Sequence, residues 1–428
     1  MSAKTTVGTG QDHVQALVRV LEVVRLGQVT TKPEISRATG LGRNVVTQRV
    51  AELTEAGVLT DDHFQRSTGG RAPRGIRLRA EAGRVLVAEL GATSIGVAVS
   101  DLAGMLLVQR EETADITDGP QPILSRVADL WDELLSGLPS DGTRIWGIGI
   151  GLPGPVEFAT GRPVTPPIMP GWDNFDVRSL LGSRFDAPVW VDNDVNIMAL
   201  GELRAGLAHG ESDFIYVKVG TGIGAGLVTN GSLHRGAQGC AGDIGHVNAG
   251  ESQTVLCRCG KFGCLEALAG GAALARDGTR AAEDGRSAYL ASALERDGRV
   301  DANTVSEAAA HGDPIGIDLL AQSARLVGLA LAGIVNFFNP SVILIGGGVA
   351  QSDDAYLAEI RQTILRRSLP LATRSLQVSR SPRSAQSGMR GAAHMVMDAL
   401  LSTEVLPIWL PQGSPAGRTD IPASAFRT

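Results

Sequence analysis

Three glycine-rich stretches at the ends of apolar segments restrict the fold of this chain more than any other feature. GATS lies within residues 85–110, GTGIGAG within 214–231, and GGGVA ends the segment 340–350. The first two predict β-hairpins whose tips could hold a phosphate with backbone N–H groups. The third follows a long apolar helix and predicts a buried parallel strand that opens onto a ligand loop. Together they favour an α/β fold that holds a nucleotide between two lobes.

The stretch GTGIGAG also has the spacing of a dinucleotide-binding fingerprint. That fingerprint requires a helix directly after the glycines. Here AGLVTNG continues as a strand, so a Rossmann fold is rejected. Because tight turns need glycine in any case, one such hairpin alone would be weak evidence for a phosphate site.

The length of 428 residues is too great for one ordinary core and favours two or three domains. The N-terminal MSAKTTVGTG lacks the apolar stretch of a signal peptide. The most apolar region, 326–350, is interrupted by Asn336, Asn339 and Pro340 and is not expected to span a membrane. We therefore expect a soluble cytoplasmic protein with no membrane partner, in which clustered cysteines indicate a metal or catalytic site.

The charge is distributed unevenly. The first 80 residues carry 12 Lys and Arg against 7 Asp and Glu, whereas the rest carries 27 against 38. The overall charge of −6 is therefore +5 on a short N-terminal segment and −11 elsewhere. This asymmetry predicts a separate N-terminal unit with an anionic partner.

The first 57 residues have the pattern of a helix-turn-helix. Apolar residues at helical spacing predict a helix over 13–27, and a third helix is expected over 43–57. Between them, Thr31 and Glu34 form a capping box for a helix that ends at Gly40. A small helical bundle with a solvated basic face is the alternative interpretation.

The segment 58–79 favours double-stranded DNA as the partner, because it predicts a strand, a glycine-rich turn and a second strand with arginines along it. This is the form of a winged helix-turn-helix, in which a helix enters the major groove. The candidates for base contacts are Arg43, Asn44, Gln48 and Arg49, and those for the DNA backbone or minor groove are Arg71 and Arg74.

A possible catalytic carboxylate follows the strand in APVWVDNDVNIMALGE, residues 187–202. There Asp194 is expected where a strand passes into a helix, the favoured position for chemistry in open α/β sheets. Helix capping is the competing explanation for a polar residue at this point, and Asp192 or Asn193 could do it equally well.

Three of the four cysteines lie within CRCGKFGC, residues 257–264. With the preceding histidine they supply one imidazole and three thiolates, the ligand count of a closed zinc site: His246, Cys257, Cys259 and Cys264. Buried thiols with an unrelated histidine are the alternative. The fourth cysteine, Cys240, is predicted to be a small buried residue.

The motifs DIGHV, CRCGKFGCLEALAGG, GLPGPV, VDNDVN and GTGIGAG together resemble the ROK family of repressors, open reading frames and sugar kinases. The STGGRAP wing resembles its transcriptional-regulator branch. The resemblance covers about residues 12–400. It implies a two-lobed, actin-like and ribonuclease H-like sugar-kinase fold over 84–400, with the lobes meeting near residue 195. A winged helix-turn-helix domain precedes it at 1–80, and 401–428 is left as a tail without a function.

The resemblance also assigns site residues. It implies that Asp194 is the base that takes a proton from a sugar hydroxyl. The implied sugar ligands are Asn174, Asn193, Asp194, Asp243, His246 and Glu266. If ATP with Mg²⁺ binds, its phosphates would lie against Glu89, Gly91, Thr93, Gly220, Thr221, Gly222, Gly346 and Gly347.

Two positions differ from the pattern of active kinases. Glu89 stands where those kinases have Asp, and Asp243 stands where they have Glu. Each change moves a carboxylate by one methylene, which counts against ATP use more than against sugar binding. The leading hypothesis is a dimeric, or dimer-of-dimers, transcriptional regulator with a sugar or sugar phosphate effector. The alternatives are an ATP-dependent sugar kinase with an accessory DNA-binding segment, and a DNA-binding assembly whose cleft is empty.

Overall fold

The computed structural model describes residues 6–27, 29–64, 74–250, 255–351, 354–381 and 384–421. The N-terminal unit consists of α1 (Thr6–Arg25), α2 (Lys32–Thr39), α3 (Arg43–Glu55), β1 (Leu59–Phe64) and β2 (Arg74–Leu78). The small lobe consists of β3 (Arg84–Leu90), β4 (Ser94–Ser100), β5 (Leu106–Thr113), α4 (Pro120–Ser136), β6 (Ile145–Leu152), β7 (Val156–Glu157), β8 (Arg162–Pro163), α5 (Val177–Phe185) and β9 (Val189–Asn193).

The large lobe begins with α6 (Asp194–Ala205), β10 (Phe214–Val219), β11 (Ile223–Thr229), β12 (Ser232–His234), α7 (Leu265–Ala269), α8 (Gly271–Glu283), α9 (Ala288–Asp297) and α10 (Ala302–Ala310). It continues with α11 (Pro314–Phe338), β13 (Val342–Gly346), α12 (Gly348–Gln351), α13 (Asp354–Arg367), α14 (Pro370–Thr373) and β14 (Gln377–Arg380). The C-terminal part contains α15 (Ser384–Leu400) and α16 (Leu406–Trp409).

The N-terminal unit is a winged helix-turn-helix, as the sequence predicts. The Thr31 side chain accepts from the backbone N–H of Glu34, whose carboxylate accepts in return from the backbone N–H of Thr31. Gly40 ends α2 in the left-handed region at φ 71°, where a residue with a Cβ is strained. Strands β1 and β2 pair antiparallel as the wing, and its tip lies outside the described residues.

The small lobe contains a five-stranded mixed sheet in the order β5-β4-β3-β6-β9. Strands β3, β6 and β9 are parallel, and β3 and β4 form the predicted hairpin. Helix α4 covers one face, where the indole N–H of Trp131 donates to the carbonyl of Val87 at 3.0 Å. Helix α15 packs on the other face. The carboxyl ends of β3 and β9 therefore point to the same edge.

The sheet of the large lobe has the order β12-β11-β10-β13-β14, and it contains the other two glycine tips. Strands β10 and β11 form a hairpin, and β13 is the buried parallel strand that the sequence predicts. Side chains alternate along β10. Ile215 and Val217 enter a core with α11 and α13, whereas Phe214 and Tyr216 share the core of α6 and α15.

Helices α6 and α15 pack side by side between the two sheets, and glycines permit their close approach. A Cβ on Gly391 would lie 1.6 Å from the carbonyl oxygen of Ile197, and one on Gly201 would lie 1.9 Å from that of Ser387. The Glu202 carboxylate accepts from the hydroxyls of Ser381 and Ser387 at 2.5 and 2.7 Å. The two lobes are thus joined by a tightly packed helix pair.

Helix α11 is long and apolar enough for a membrane span by length and composition alone. The interruptions at 336–340 do not remove this signal, because the apolar stretch begins earlier, at Pro314. One face of α11 packs against α7, α8, α10 and α13 in the core of the large lobe. This packing accounts for the apolar composition of the helix.

The winged helix-turn-helix shares a continuous hydrophobic core with the body. Leu21 of α1 and Leu53 of α3 belong to the same buried cluster as Leu200 of α6 and Val396 of α15. The segment 401–421, which the sequence marks as a tail, is part of this cluster through the buried Trp409. Its indole lies 5.1 Å from that of Trp146, measured between ring centroids, and its N–H donates to the carbonyl of Leu400.

Candidate functional site

A cleft of about 860 Å³ lies between the lobes, and all three glycine tips reach it. The residues that the sequence assigned to phosphates and that line the cleft are Glu89, Gly91, Thr93, Gly220, Thr221, Gly222 and Gly347. Gly346 is the exception, because it lies within β13, where its Cα faces the hydroxyl of Tyr216. The expected convergence of the hairpin tips therefore holds for all but one of the predicted residues.

Asp194 is the first residue of α6, directly after β9. The capping function belongs to its neighbour, since the Asn193 side chain accepts from the backbone N–H of Val195 at 3.0 Å. Asp194 is 6% exposed and reaches the cleft. Its Oδ1 accepts from the backbone N–H of Val195 at 2.9 Å, and its Oδ2 accepts from Lys218 Nζ at 2.7 Å.

Lys218, on β10, is a cleft residue that the sequence analysis did not single out. Its ammonium lies 2.7 Å from Asp194 Oδ2 and 3.9 Å from Glu89 Oε1. Burial on its own would lower the pKa of Lys218, but the carboxyl groups of Asp194 and Glu89 raise it above its ordinary value. The alternation along β10 could have located it, because Lys218 follows Phe214 and Tyr216 on the face toward α6.

Glu89, near the end of β3, is the small-lobe member of this group. Burial raises the pKa of its carboxyl to about 8, and attraction to Lys218 only partly offsets this effect. Oε2 lies against the Cα of Gly388, where a Cβ would come within 1.9 Å. At pH 7 Glu89 is therefore mostly neutral, and Lys218 and Asp194 form a charge-balanced pair.

The predicted sugar ligands divide into two groups. Asn193, Asp194, Asp243 and Glu266 line the cleft. The Asn193 amide is held by the carbonyl of Gly154 at 2.8 Å, and Glu266 accepts from the backbone N–H of Ile223 at 3.1 Å. These contacts fix carboxylates and amides in positions suited to hydroxyl groups.

Asn174 and His246 are not in the cleft lining. Asn174 is exposed at φ 56°, and its carbonyl accepts from Arg162 at 2.6 Å. His246 directs Nδ1 toward Cys257 and Nε2 toward the carboxylate of Asp243, at 3.9 Å. In this conformation of the lobes the structure thus does not support direct sugar contacts by either residue.

His246, Cys257, Cys259 and Cys264 come together, and their ligand atoms all lie within 4.8 Å of one another. His246 Nδ1 lies 3.6 Å from Cys257 Sγ, and the sulfurs of Cys259 and Cys264 are 3.7 Å apart. The cluster follows the cleft residue Asp243 and directly precedes α7, which carries Glu266. Four ligand atoms at these separations can hold a metal ion.

The prediction that Cys240 is buried is wrong. Its side chain is exposed and lines the cleft, because it lies in an irregular loop after β12 instead of in a core element. A short residue with no nearby cysteine gave no signal that separates these two environments.

On α3, Arg43, Asn44 and Gln48 are exposed, as a groove-facing surface requires. Arg49 is different: its guanidinium contacts His13 of α1 and donates to Glu52 at 3.0 Å, and its side chain is only 14% exposed. The prediction that Arg49 faces outward is therefore wrong, because its long side chain folds back to join α3 to α1. Arg71 lies outside the described residues, and Arg74 is described only as the first backbone position of β2.

A buried ion cluster joins the DNA-binding unit to the body. The carboxylate of Asp398 on α15 contacts Arg25 at the end of α1 and accepts from Arg204 of α6 at 2.9 Å. Burial would raise the pKa of Asp398, but the two guanidinium groups hold it well below its usual range. The sequence gave no signal for this cluster, since its members are 179 and 194 positions apart.

A winged helix-turn-helix joined to a two-lobed body with a sugar-kinase-like cleft defines a regulator built on a kinase scaffold. The chain belongs to the ROK family, which its residues 85–399 match. It is 28% identical over 384 residues to the xylose repressor of Caldicellulosiruptor bescii, covering 90% of this chain and 95% of that protein. It is also 34% identical over 282 residues to the glucokinase of Halalkalibacterium halodurans, covering 66% and 85%.

Among solved structures, a ROK family transcriptional regulator described as a homologue of the Escherichia coli Mlc protein is similar over nearly the whole chain. The TM-score is 0.78 and the identity 25%, with 94% of this chain and 100% of that one covered. The similarity therefore includes the DNA-binding unit and not only the kinase-like body.

Proposed function

We propose that this protein is a transcriptional repressor that releases its operator when a monosaccharide binds in the cleft. The observation that carries the proposal is the position of α6. This helix begins with Asp194 in the cleft and ends next to Arg204, which shares Asp398 with Arg25 of the DNA-binding unit. A helix of 12 residues is about 18 Å long and transmits a displacement without bending.

The effector side of the proposal rests on the polar groups of the cleft. Asn193, Asp194, Asp243 and Glu266 offer acceptors and one amide donor, which suits the hydroxyl groups of a neutral sugar. The name of the C. bescii relative makes D-xylose the first sugar to test, and that of the glucokinase makes D-glucose the second.

The DNA side rests on α3 and the wing. The exposed residues Arg43, Asn44 and Gln48 are proposed to contact base edges in the major groove, and Arg71 and Arg74 to contact the backbone or minor groove. Winged helices commonly read two half-sites, so we propose a homodimer or a dimer of dimers on the operator. A repressor of this kind acts in the cytoplasm, in contact with the chromosome.

The His246 and cysteine cluster is proposed to hold a structural zinc ion. Tetrahedral coordination with Zn–S distances of about 2.3 Å places sulfurs about 3.8 Å apart. The separation of 3.7 Å between Cys259 and Cys264 fits this geometry. Bound zinc would supply a cross-link, and the residues themselves would then hold Asp243 and Glu266 in position on either side of it.

The test is operator binding at fixed salt, with genomic fragments selected on the immobilised protein. D-xylose, D-glucose and their phosphates are each added with and without Mg²⁺ and ATP. We expect one sugar to lower DNA affinity by roughly 5- to 150-fold without ATP, a coupling of about 1–3 kcal/mol. By linkage, operator DNA must weaken the binding of that sugar by the same factor. Failure of every sugar to change DNA affinity would overturn the proposal.

The exposed Cys240 provides a second readout of sugar binding in the cleft. The effector should slow alkylation of this thiol, as measured by mass spectrometry, while a sugar without effect on DNA should not. Unchanged alkylation together with unchanged DNA affinity would favour the empty-cleft alternative.

Sugar phosphorylation is the second candidate, because Asp194 and the glycine tips that line the cleft are the parts that a kinase requires. It predicts sugar-dependent release of ADP that is abolished by Asp194→Asn. Release at background rates with every sugar would exclude it.

A further inference from the structure

Two carboxyl groups from different parts of the cleft meet at one ammonium group. Glu89 comes from β3 of the small lobe, Asp194 from the start of α6, and Lys218 from β10 of the large lobe. Nζ of Lys218 lies 2.7 Å from Asp194 Oδ2 and 3.9 Å from Glu89 Oε1. The three groups lie among the glycine tips that line the same cleft.

Phosphoryl transfer from ATP needs two features at such a place. A divalent cation must neutralise the phosphate oxygens, and a carboxylate must be free to accept the proton of the attacking hydroxyl. Here both oxygens of Asp194 already accept hydrogen bonds, one from Lys218 and one from the backbone N–H of Val195. The position between the carboxyl groups is filled by a side-chain cation.

We propose that Lys218 is the fixed cation of this cleft: it takes the place of a divalent metal ion and occupies Asp194, so that sugar binds without a metal–nucleotide and is not phosphorylated. This inference rests on the proposed function, in which the cleft binds a sugar. Lys218 is then the residue that makes the kinase-like body a sensor, and the ATP and Mg²⁺ implied by the resemblance do not fit the residues present.

The residue type supports this assignment. The chain uses Arg 35 times and Lys only 4 times, yet the cleft cation is a lysine. An ammonium is a compact point charge that can lie between two carboxyl groups, whereas a guanidinium is a wide planar fork. The mostly neutral Glu89 and the paired charges of Lys218 and Asp194 also leave little net negative charge to attract Mg²⁺.

The experiment is a Mn²⁺ titration of the full-length protein, in which electron paramagnetic resonance measures the free ion. We expect no binding by the wild type up to millimolar Mn²⁺, and at least tenfold tighter binding by Lys218→Ala and Lys218→Met. Lys218→Arg is the matched control that keeps the charge and is expected to bind no Mn²⁺. The double variant Lys218→Ala, Asp194→Asn should lose the Mn²⁺ site again, which locates it in the cleft.

Two measurements on the wild type keep the inference open to refutation if the variants fold poorly. The effector sugar should raise the melting temperature equally with and without Mg²⁺, and ADP release with Mg²⁺, ATP and sugar should stay at background. Wild-type Mn²⁺ binding as tight as that of Lys218→Ala would overturn the inference. So would sugar-dependent ADP release, or folded Lys218 variants that bind no Mn²⁺.

These outcomes are separable from those for the proposed function. If a sugar changes DNA affinity but the wild type binds Mn²⁺ tightly, the regulator stands and the role of Lys218 fails. If no sugar changes DNA affinity and no Mn²⁺ binds, the cation assignment stands and the sensing role fails.

Discussion

Burial sets the charge state of single residues on the floor of the cleft. Glu89 carries a carboxyl that burial keeps protonated up to a pKa of about 8, whereas the ordinary value is 4.5. The folded protein therefore binds this proton more tightly than the unfolded chain does. The stabilisation from the proton is complete below pH 4.5 and is lost as the pH rises toward 8.

Replacing Glu89 by Gln removes this dependence, because an amide of the same shape does not ionise. We expect Glu89→Gln to melt at a higher temperature than the wild type at pH 8, with a gain that shrinks steadily toward pH 5. Thermal unfolding at three pH values measures it, with the exposed Glu404→Gln as control. An equal gain at all pH values would contradict the assignment of the shift to Glu89.

What the sequence could predict at this scale depended on how far a side chain reaches. Asp194 was placed correctly because its position follows from the local junction of β9 and α6. The contact of Arg49 with His13 could not be predicted, since it joins residues 36 positions apart through a long flexible side chain. Lys218 lay within reach of prediction through strand alternation, but its carboxyl partners depend on how the two lobes meet.

Among the elements, those with a local signal agree with the sequence prediction. The capping box of α2, the wing strands, both glycine-tipped hairpins and the parallel β13 appear as expected. The segment 401–421 was not foreseen, because its apolar residues lack a regular period and find their partners only in the assembled core.

The loop that holds His246 and the three cysteines is too short to have a core of its own. We expect Cys259→Ser to lower bound zinc from one ion per chain to well below one, as measured by elemental analysis of the purified protein. Sugar affinity should fall, because Asp243 and Glu266 flank the loop, while DNA affinity without sugar stays nearly unchanged.

Cys240→Ser is the matched control, since this thiol lies outside the cluster. Full zinc content in Cys259→Ser would refute the ligand assignment.

In the molecule as a whole, the DNA-binding unit and the body share one core that the C-terminal segment completes. Trp409 is fully buried in it and contacts Trp146 of the small lobe. We expect Trp409→Ala to destabilise the protein by about 3–5 kcal/mol, the usual cost of removing a buried aromatic side chain. Calorimetry should show a single transition at a lower temperature for both units.

The exposed Leu371→Ala is the control and should leave the transition unchanged, since its side chain is 74% exposed. A wild-type protein that melts in two separate transitions, with only one of them moved by Trp409→Ala, would show that the shared core does not couple the units.

The packing of 401–421 beside the first 80 residues constrains how new regulators of this type can arise. A gene fusion that joins a foreign DNA-reading head at residue 80 brings in only half of a matched surface, because the other half is encoded more than 300 codons downstream. Recombinants that exchange operator specificity should therefore succeed when both ends of the gene come from the same parent.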